Sequence, residues 1–403
     1  MSCMRGGEGI SSRRLGFLAL AFAVLLATVT GAQVGNSEAT RGADVRTDRP
    51  LARIGSHVMR VRPLTLEPTR PRVALGEYHD TWSYSPDGSS IAFGISAPPP
   101  GPGSRIGIRV ANTSDLETEA DLQTGVYAAA LAWLEPQRIV ALLGVGGTLP
   151  FPPPPYEGTV ITIDPETGEV HQEADLPFGD SEFHCDAAEA PGVALLVLAN
   201  SRLFTVGTDS AAETVELPSE FEDCGQVVVA PDNETAFAIA KREDVVAEVD
   251  LSSRELTVHD LPEEPGTVEA LAAGPNTLVL ARRDQRGRPL GVETVDLDEG
   301  SRRTIDRKAG EARIAAGTAL AFDGARREGN RGIGLRGYSL DGERSFTVLR
   351  GNRVSQVLVH GHFAYAMRRE GLAVVDVVDG VIESRSDERP PLSTELLNRP
   401  TTP

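Results

Sequence analysis

A two-hairpin unit recurs along this chain, and that repetition limits what the chain can fold into more than any other feature. The first hairpin is clearest at Trp82-Ser83-Tyr84-Ser85-Pro86-Asp87-Gly88-Ser89-Ser90-Ile91-Ala92-Phe93. It returns at residues 131–142, turning at Glu135-Pro136, and at residues 227–238, turning at Pro231-Asp232-Asn233. Looser copies centre on Ala188, Ala272, Gly317 and His360. Apolar runs on either side of such turns read as paired antiparallel strands, because Gly and Asn accept the positive φ a tight turn requires. The second hairpin is clearest at Val160-Ile161-Thr162-Ile163-Asp164-Pro165-Glu166-Thr167-Gly168-Glu169-Val170, with copies turning at Asp250, Asp296, Ser339 and Asp376. In these turns an Asp can hold the amides that follow it, and Gly takes the left-handed position.

The second-hairpin turns fall at residues 62, 112, 164, 207, 250, 296, 339 and 376. Their mean spacing is about 45 residues, the length of one four-stranded propeller blade. A sandwich domain needs roughly twice that, and no helical period competes over a comparable window. The expected fold is therefore all-β: a seven-bladed β-propeller of four-stranded antiparallel blades over residues 55–386. An extra N-terminal hairpin at residues 58–68 would close the ring. Eight blades, one of them incomplete, is the alternative count.

The N-terminus reads as an export signal. Arg5, Arg13 and Arg14 precede an apolar run over residues 15–29, and Thr30-Gly31-Ala32 offers small residues for cleavage before Gln33. Residues 1–32 are thus expected to leave as a signal peptide by the Sec route or, given Ser12-Arg13-Arg14-Leu15-Gly16-Phe17-Leu18, the twin-arginine route. An uncleaved anchor is the alternative. No later apolar run is long enough to span a bilayer. Residues 33–54 read as a linker and 387–403 as a polar, Pro-rich tail. After cleavage Cys185 and Cys224 remain, near-equivalent positions of consecutive repeats, and an even pair in an exported chain predicts a disulfide. The formal net charge of −19 argues against nucleic-acid binding. A monomer is expected.

The turn sequences Tyr84-Ser85-Pro86-Asp87-Gly88 and Asp164-Pro165-Glu166-Thr167-Gly168 resemble those of bacterial secreted propellers of the WD40-like, YVTN and TolB-like kind, over roughly residues 55–385. The resemblance implies the fold and leaves function open, since turn chemistry carries no site. Some similar propellers are lactonases that hold a central divalent ion with carboxylates and Asn. This chain has acids at strand entries without the matching Asn.

No Gly-x-Ser-x-Gly elbow and no phosphate-cradling Gly-x-x-x-x-Gly-Lys run is present. His360-Gly361-His362 falls at a hairpin tip, too few ligands for zinc. Asp80, Glu182 and Asp186 are the acids that would line a channel entrance, where Ca²⁺ is the cation they would suit; no other cofactor is expected. The second strands of four successive blades end in Lys241-Arg242-Glu243, Arg282-Arg283-Asp284, Arg326-Arg327-Glu328 and Arg368-Arg369-Glu370. Arg242, Arg283, Arg286, Arg327 and Arg369 then form a basic arc on one face, beside the stiff Pro-rich loops at residues 98–102 and 146–158. The reading favoured is a binding or scaffold module of the cell envelope for a protein or small-molecule partner. A metal-dependent, lactonase-like hydrolase is the alternative.

Overall fold

The computed structural model describes residues 50–397 except 55, 75–80, 96–106, 124–127, 136, 144–156, 178–185, 208–211, 223–224, 241–244, 262–266, 285, 325–331, 388–389 and 391–393. The described strands form eight antiparallel sheets of four strands. In seven sheets the strands lie in chain order from one edge to the other. In the remaining one, Thr394–Leu397 pairs with Leu51–Ile54, and His57–Val61 and Pro68–Ala74 follow outward.

This is an eight-bladed propeller, so the alternative count is the one formed. The N-terminal hairpin is the outer half of a true blade, not an addition to seven. Its inner half comes from two four-residue strands at opposite ends of the chain. Leu51–Ile54 lies in the span read as linker and Thr394–Leu397 in the span read as tail. No hairpin turn joins these two strands to each other, so the repeat pattern could not reveal the pair.

The closing sheet is blade 1; blades 2 to 8 follow in chain order. Their inner strands are Trp82–Tyr84, Ala128–Glu135, Asp186–Ala190, Gly225–Val229, Thr267–Gly274, Glu311–Ala315 and Val354–His360. Second strands are buried on both faces, because a neighbouring blade covers each: all six residues of Ala194–Ala199 and of Phe363–Arg368 are buried. Outer strands alternate with the two-residue pleat instead, as Val381–Ser386 does. Core clusters accordingly lie between blades. Leu196, Leu198 and Leu203 of blade 4 meet Val227, Ala236 and Ala238 of blade 5. Val279 and Val292 of blade 6 meet Ala319 and Ala321 of blade 7. With few aromatics, Phe93, Phe204, Phe237 and Phe322 are among the large wedges, with Phe221 and Tyr365, each fully buried and each phenylalanine worth roughly 1.5–3 kcal/mol of burial.

The turns behave as their chemistry requires. Asp164 Oδ1 accepts the amides of Glu166 and Thr167 at 2.8 and 3.0 Å. Gly168 then sits at φ +73°, where a Cβ would come within 3.0 Å of Leu122 in the preceding blade.

An inner strand is also a sheet edge, with backbone groups that need partners. Side chains supply them from blade to blade. Trp133 N donates to Ser83 Oγ at 2.7 Å and Val227 N to Asp186 Oδ2 at 2.9 Å. Gln226 binds both the carbonyl and the amide of Ala270. Val354 N donates to Asp323, and Gln356 donates to the carbonyl of Thr394 in the closing strand.

Candidate functional site

Antiparallel order within each blade sends the connections of the first and second strands, and of the third and outer strands, to one face. The connections of the second and third strands, and of each outer strand with the next inner strand, emerge on the other. The first of these is the lower face here, the second the upper. The lower face is acidic, with Asp115, Glu166, Glu234, Asp298, Glu343 and Asp379 all exposed. Its turn aspartates are held in the charged form. The Ser252 hydroxyl and then the amides of Ser253 and Ser252 pull Asp250 down to about 2, and the Ser339 hydroxyl and Glu343 amide lower Asp341. On blades 6 to 8 the upper face is predominantly basic, with Arg286, Arg288, Arg307, Lys308, Arg350 and Arg369 exposed against the exposed acids Glu370 and Asp387.

The expected basic arc divides by strand alternation. Arg282 and Arg368, the first members of two Arg-Arg pairs, point inward and are buried at 2% and 6% exposure. Arg282 Nε and Arg302 Nη2 both donate to Glu293 Oε1 at 2.7 Å. Arg283 is occupied by an ion pair with Glu311 at 3.0 Å, so it braces blade 6 against blade 7. Arg286 and Arg369 reach solvent. Arg242 and Arg327 lie outside the described residues.

Of the three candidate metal ligands, Asp80 and Glu182 lie outside the described residues, as do Cys185 and Cys224. Asp186 is described, and one of its carboxylate oxygens takes the Val227 amide. Among the described residues no three His, Cys, Asp or Glu side chains gather as a metal site would need. His362 faces Asp376 at 3.6 Å.

Two features escaped the sequence reading. One is Glu189, in the Ala-rich inner strand of blade 4. Its Oε1 accepts from Ser83 Oγ at 2.6 Å and from Trp133 N at 3.2 Å, which links the inner strands of blades 2, 3 and 4. Desolvation raises its carboxyl to about 7 against the opposing pull of those two donors. The other is the Arg307-Lys308 pair, which lies in the connection from blade 6 to blade 7. It follows an outer strand, whereas the expected arc is drawn from the ends of second strands.

No known protein family matches the chain, and no curated protein matches it. Solved structures do. Dihydro-heme d1 dehydrogenase NirN in complex with DHE superposes with a TM-score of 0.58 at 14% identity, covering 87% of this chain and 75% of that one. Apo AztD from Citrobacter koseri gives 0.52 at 11% identity, covering 87% and 97%. Dipeptidyl peptidase 4 from Porphyromonas gingivalis gives 0.50 at 10% identity, over 75% of this chain and 52% of that one. Identities this low speak for the fold alone. They agree with the propeller and single out no repeat family within it. Among the described residues no helix is long and apolar enough to cross a membrane.

Proposed function

We propose that this chain is an exported binding propeller that captures an anionic partner on the upper face of blades 6 to 8. The observation that carries the reading is the segregation of charge. In a chain of net charge −19, exposed arginines and a lysine outnumber exposed carboxylates on one sector of one face, while carboxylates outnumber cations on the other. Such a field steers anionic partners and orients their approach. The rigid ring holds the sector in place, so little ordering entropy opposes binding. Export through residues 1–32 and a Cys185–Cys224 bridge belong to the same proposal, as does the extension of the arc through Arg242 and Arg327.

The test is titration of the chain lacking residues 1–32 with a fluorescent octaglutamate peptide. Saturable binding is expected that weakens as salt rises and is lost in the Arg286→Glu/Arg369→Glu variant, whose altered side chains are both solvent-exposed. Absence of binding at low salt, or equal binding by that variant, would overturn the assignment of the face.

A further inference from the structure

A cleft of about 400 Å³ opens on the upper face where blade 6 meets blade 7, lined by Thr304, Ile305, Asp306, Arg307, Lys308 and Arg336. Thr304 to Asp306 end the outer strand of blade 6, Ser301–Asp306. Arg307 and Lys308 begin the connection to blade 7, and Arg336 stands on that blade's third strand, Leu335–Ser339. Two blades therefore build the cleft, and the packing of Val292 and Ile305 against Ala312 and Ile333 beneath it fixes their separation.

The one carboxylate in the cleft is already used. Asp306 is 4% exposed, and its Oδ1 accepts the amides of Lys308 and Ala309 at 2.6 and 3.2 Å. Its Oδ2 pairs with Arg336 Nη1. Asp306 thus shapes the turn that presents Arg307 and Lys308, and it anchors Arg336 while cancelling one unit of charge. Three cations against one anion leave the cleft with a surplus of two positive charges. Arg307 and Lys308 are exposed, and the Arg336 side chain keeps 33% of its surface open.

We infer that this cleft binds the dianionic phosphoryl group of a small phosphorylated molecule. Charge and chemistry both point that way. Two surplus positive charges match a phosphate monoester, and guanidinium and ammonium donors are the groups that bind phosphate oxygens best. The volume is at the scale of small-molecule sites, which run from about 300 to 1,000 Å³, so the phosphoryl group can enter with the molecule that carries it. The Thr304 hydroxyl on the wall can donate to an oxygen or accept from a substituent. The inference rests on the upper face being the binding face, and it adds a ligand class to that reading.

Calorimetric titration with glycerol 3-phosphate tests it, with inorganic phosphate and succinate as companion probes. The protein is the chain lacking residues 1–32 and its Arg307→Ala/Lys308→Ala variant, which leaves the Asp306–Arg336 pair intact. One equivalent of glycerol 3-phosphate should bind, more tightly than succinate, and the double variant should weaken it at least about tenfold. Tighter binding than inorganic phosphate would show that the attached molecule contributes. Equal binding would locate recognition in the phosphoryl group alone, which also supports the site. No phosphate-dependent heat at millimolar ligand, preference for succinate, or an unchanged double variant would overturn it. Octaglutamate binding separates this failure from that of the face. If the peptide still binds and Arg286→Glu/Arg369→Glu abolishes it, the face stands and only the phosphoryl site falls.

Discussion

Tyr84 Oη donates a hydrogen bond of 2.8 Å to the carbonyl of Leu397, across 313 positions of sequence. The bond joins the inner strand of blade 2 to the closing strand of blade 1, next to a cluster in which Leu51, Val58, Ile91, Phe93 and Leu397 pack together. It ties the last described residue of the chain to the first complete repeat.

Closure should therefore dominate stability. Deleting residues 394–403 removes the strand paired with Leu51–Ile54 and leaves that strand as a bare edge, which invites association between copies. A lower melting temperature and concentration-dependent aggregation are expected by calorimetry and light scattering. Tyr84→Phe removes one buried hydrogen bond and keeps the ring, so it should lose only about 1 kcal/mol in urea unfolding. A truncated chain as stable as the full one would show that the eighth blade does not hold the ring shut.

Stability should also depend on pH in two opposite ways. Burial raises Glu189 from 4.5 to about 7, so the folded state binds its proton more tightly than the unfolded state does. Stability should therefore fall as pH rises from near 4.5 through 7, by roughly 3 kcal/mol in all. Asp250 is lowered from 3.8 to about 2, so its contribution is present above 3.8 and disappears as pH drops through 2. The contributions of these two groups are both present between the windows, near pH 4–5. Glu189→Gln keeps an acceptor for Ser83 and Trp133 and carries no charge. Its unfolding free energy should be flatter between pH 5 and 8 than that of the parent. An unaltered slope would mean another group sets it.

The bonds from blade to blade show what a repeat reading can and cannot see. Hairpin turns were legible because Asp164 and Gly168 act on residues two to four positions away, within one window of sequence. The side chains that reach the next blade's inner strand are Ser83, Asp186, Gln226, Asp323 and Gln356, with no single residue type and no fixed position: Asp323 follows a second strand, the others stand on inner strands. Any polar side chain that reaches the next backbone will serve, so no pattern accumulates. The same reason hid the eighth blade, whose inner pair Leu51–Ile54 and Thr394–Leu397 is formed by residues more than three hundred positions apart. The basic arc was half legible. Alternation along a strand predicts that Arg282 and Arg283 point to opposite sides, yet only the structure pairs Arg283 with Glu311. Arg307 and Lys308 were plain in the sequence and went unmarked because they follow an outer strand.

Asp323 offers a test of the inner-strand bonds that also bears on the upper face. Buried at 2% exposure, its carboxylate accepts from Ile333 N at 3.1 Å and Val354 N at 3.2 Å. It so pins both the far end of the connection that carries Arg327 and the first residue of the blade 8 inner strand. Asp323→Ala strands two buried amides and should lose about 2–4 kcal/mol. Asp323→Asn keeps one acceptor and should lose less. Hydrogen exchange at the Ile333 and Val354 amides should accelerate in Asp323→Ala well beyond the global change in stability. Uniform acceleration across all blades would indicate a general loss of packing instead.

Glu293 presents a sharper case, because two guanidiniums share one of its oxygens. Arg282, Glu293 and Arg302 are 3%, 9% and 12% exposed at the side chain, and each donor lies 2.7 Å from Oε1. They sit on three successive strands of blade 6, on the side that packs against blade 5, as Leu280 and Val295 do. The two guanidiniums share that one carboxylate in a dry place. Breaking a buried pair costs about 3–5 kcal/mol, because the remaining charge has lost its counterion. Glu293→Gln should lose stability on that scale although its shape and one acceptor are preserved. Arg282→Met leaves the Arg302–Glu293 pair neutral and should lose clearly less. If instead Glu293→Gln proved the milder change in urea unfolding, hydrogen-bond geometry rather than charge would be what holds the three strands in register.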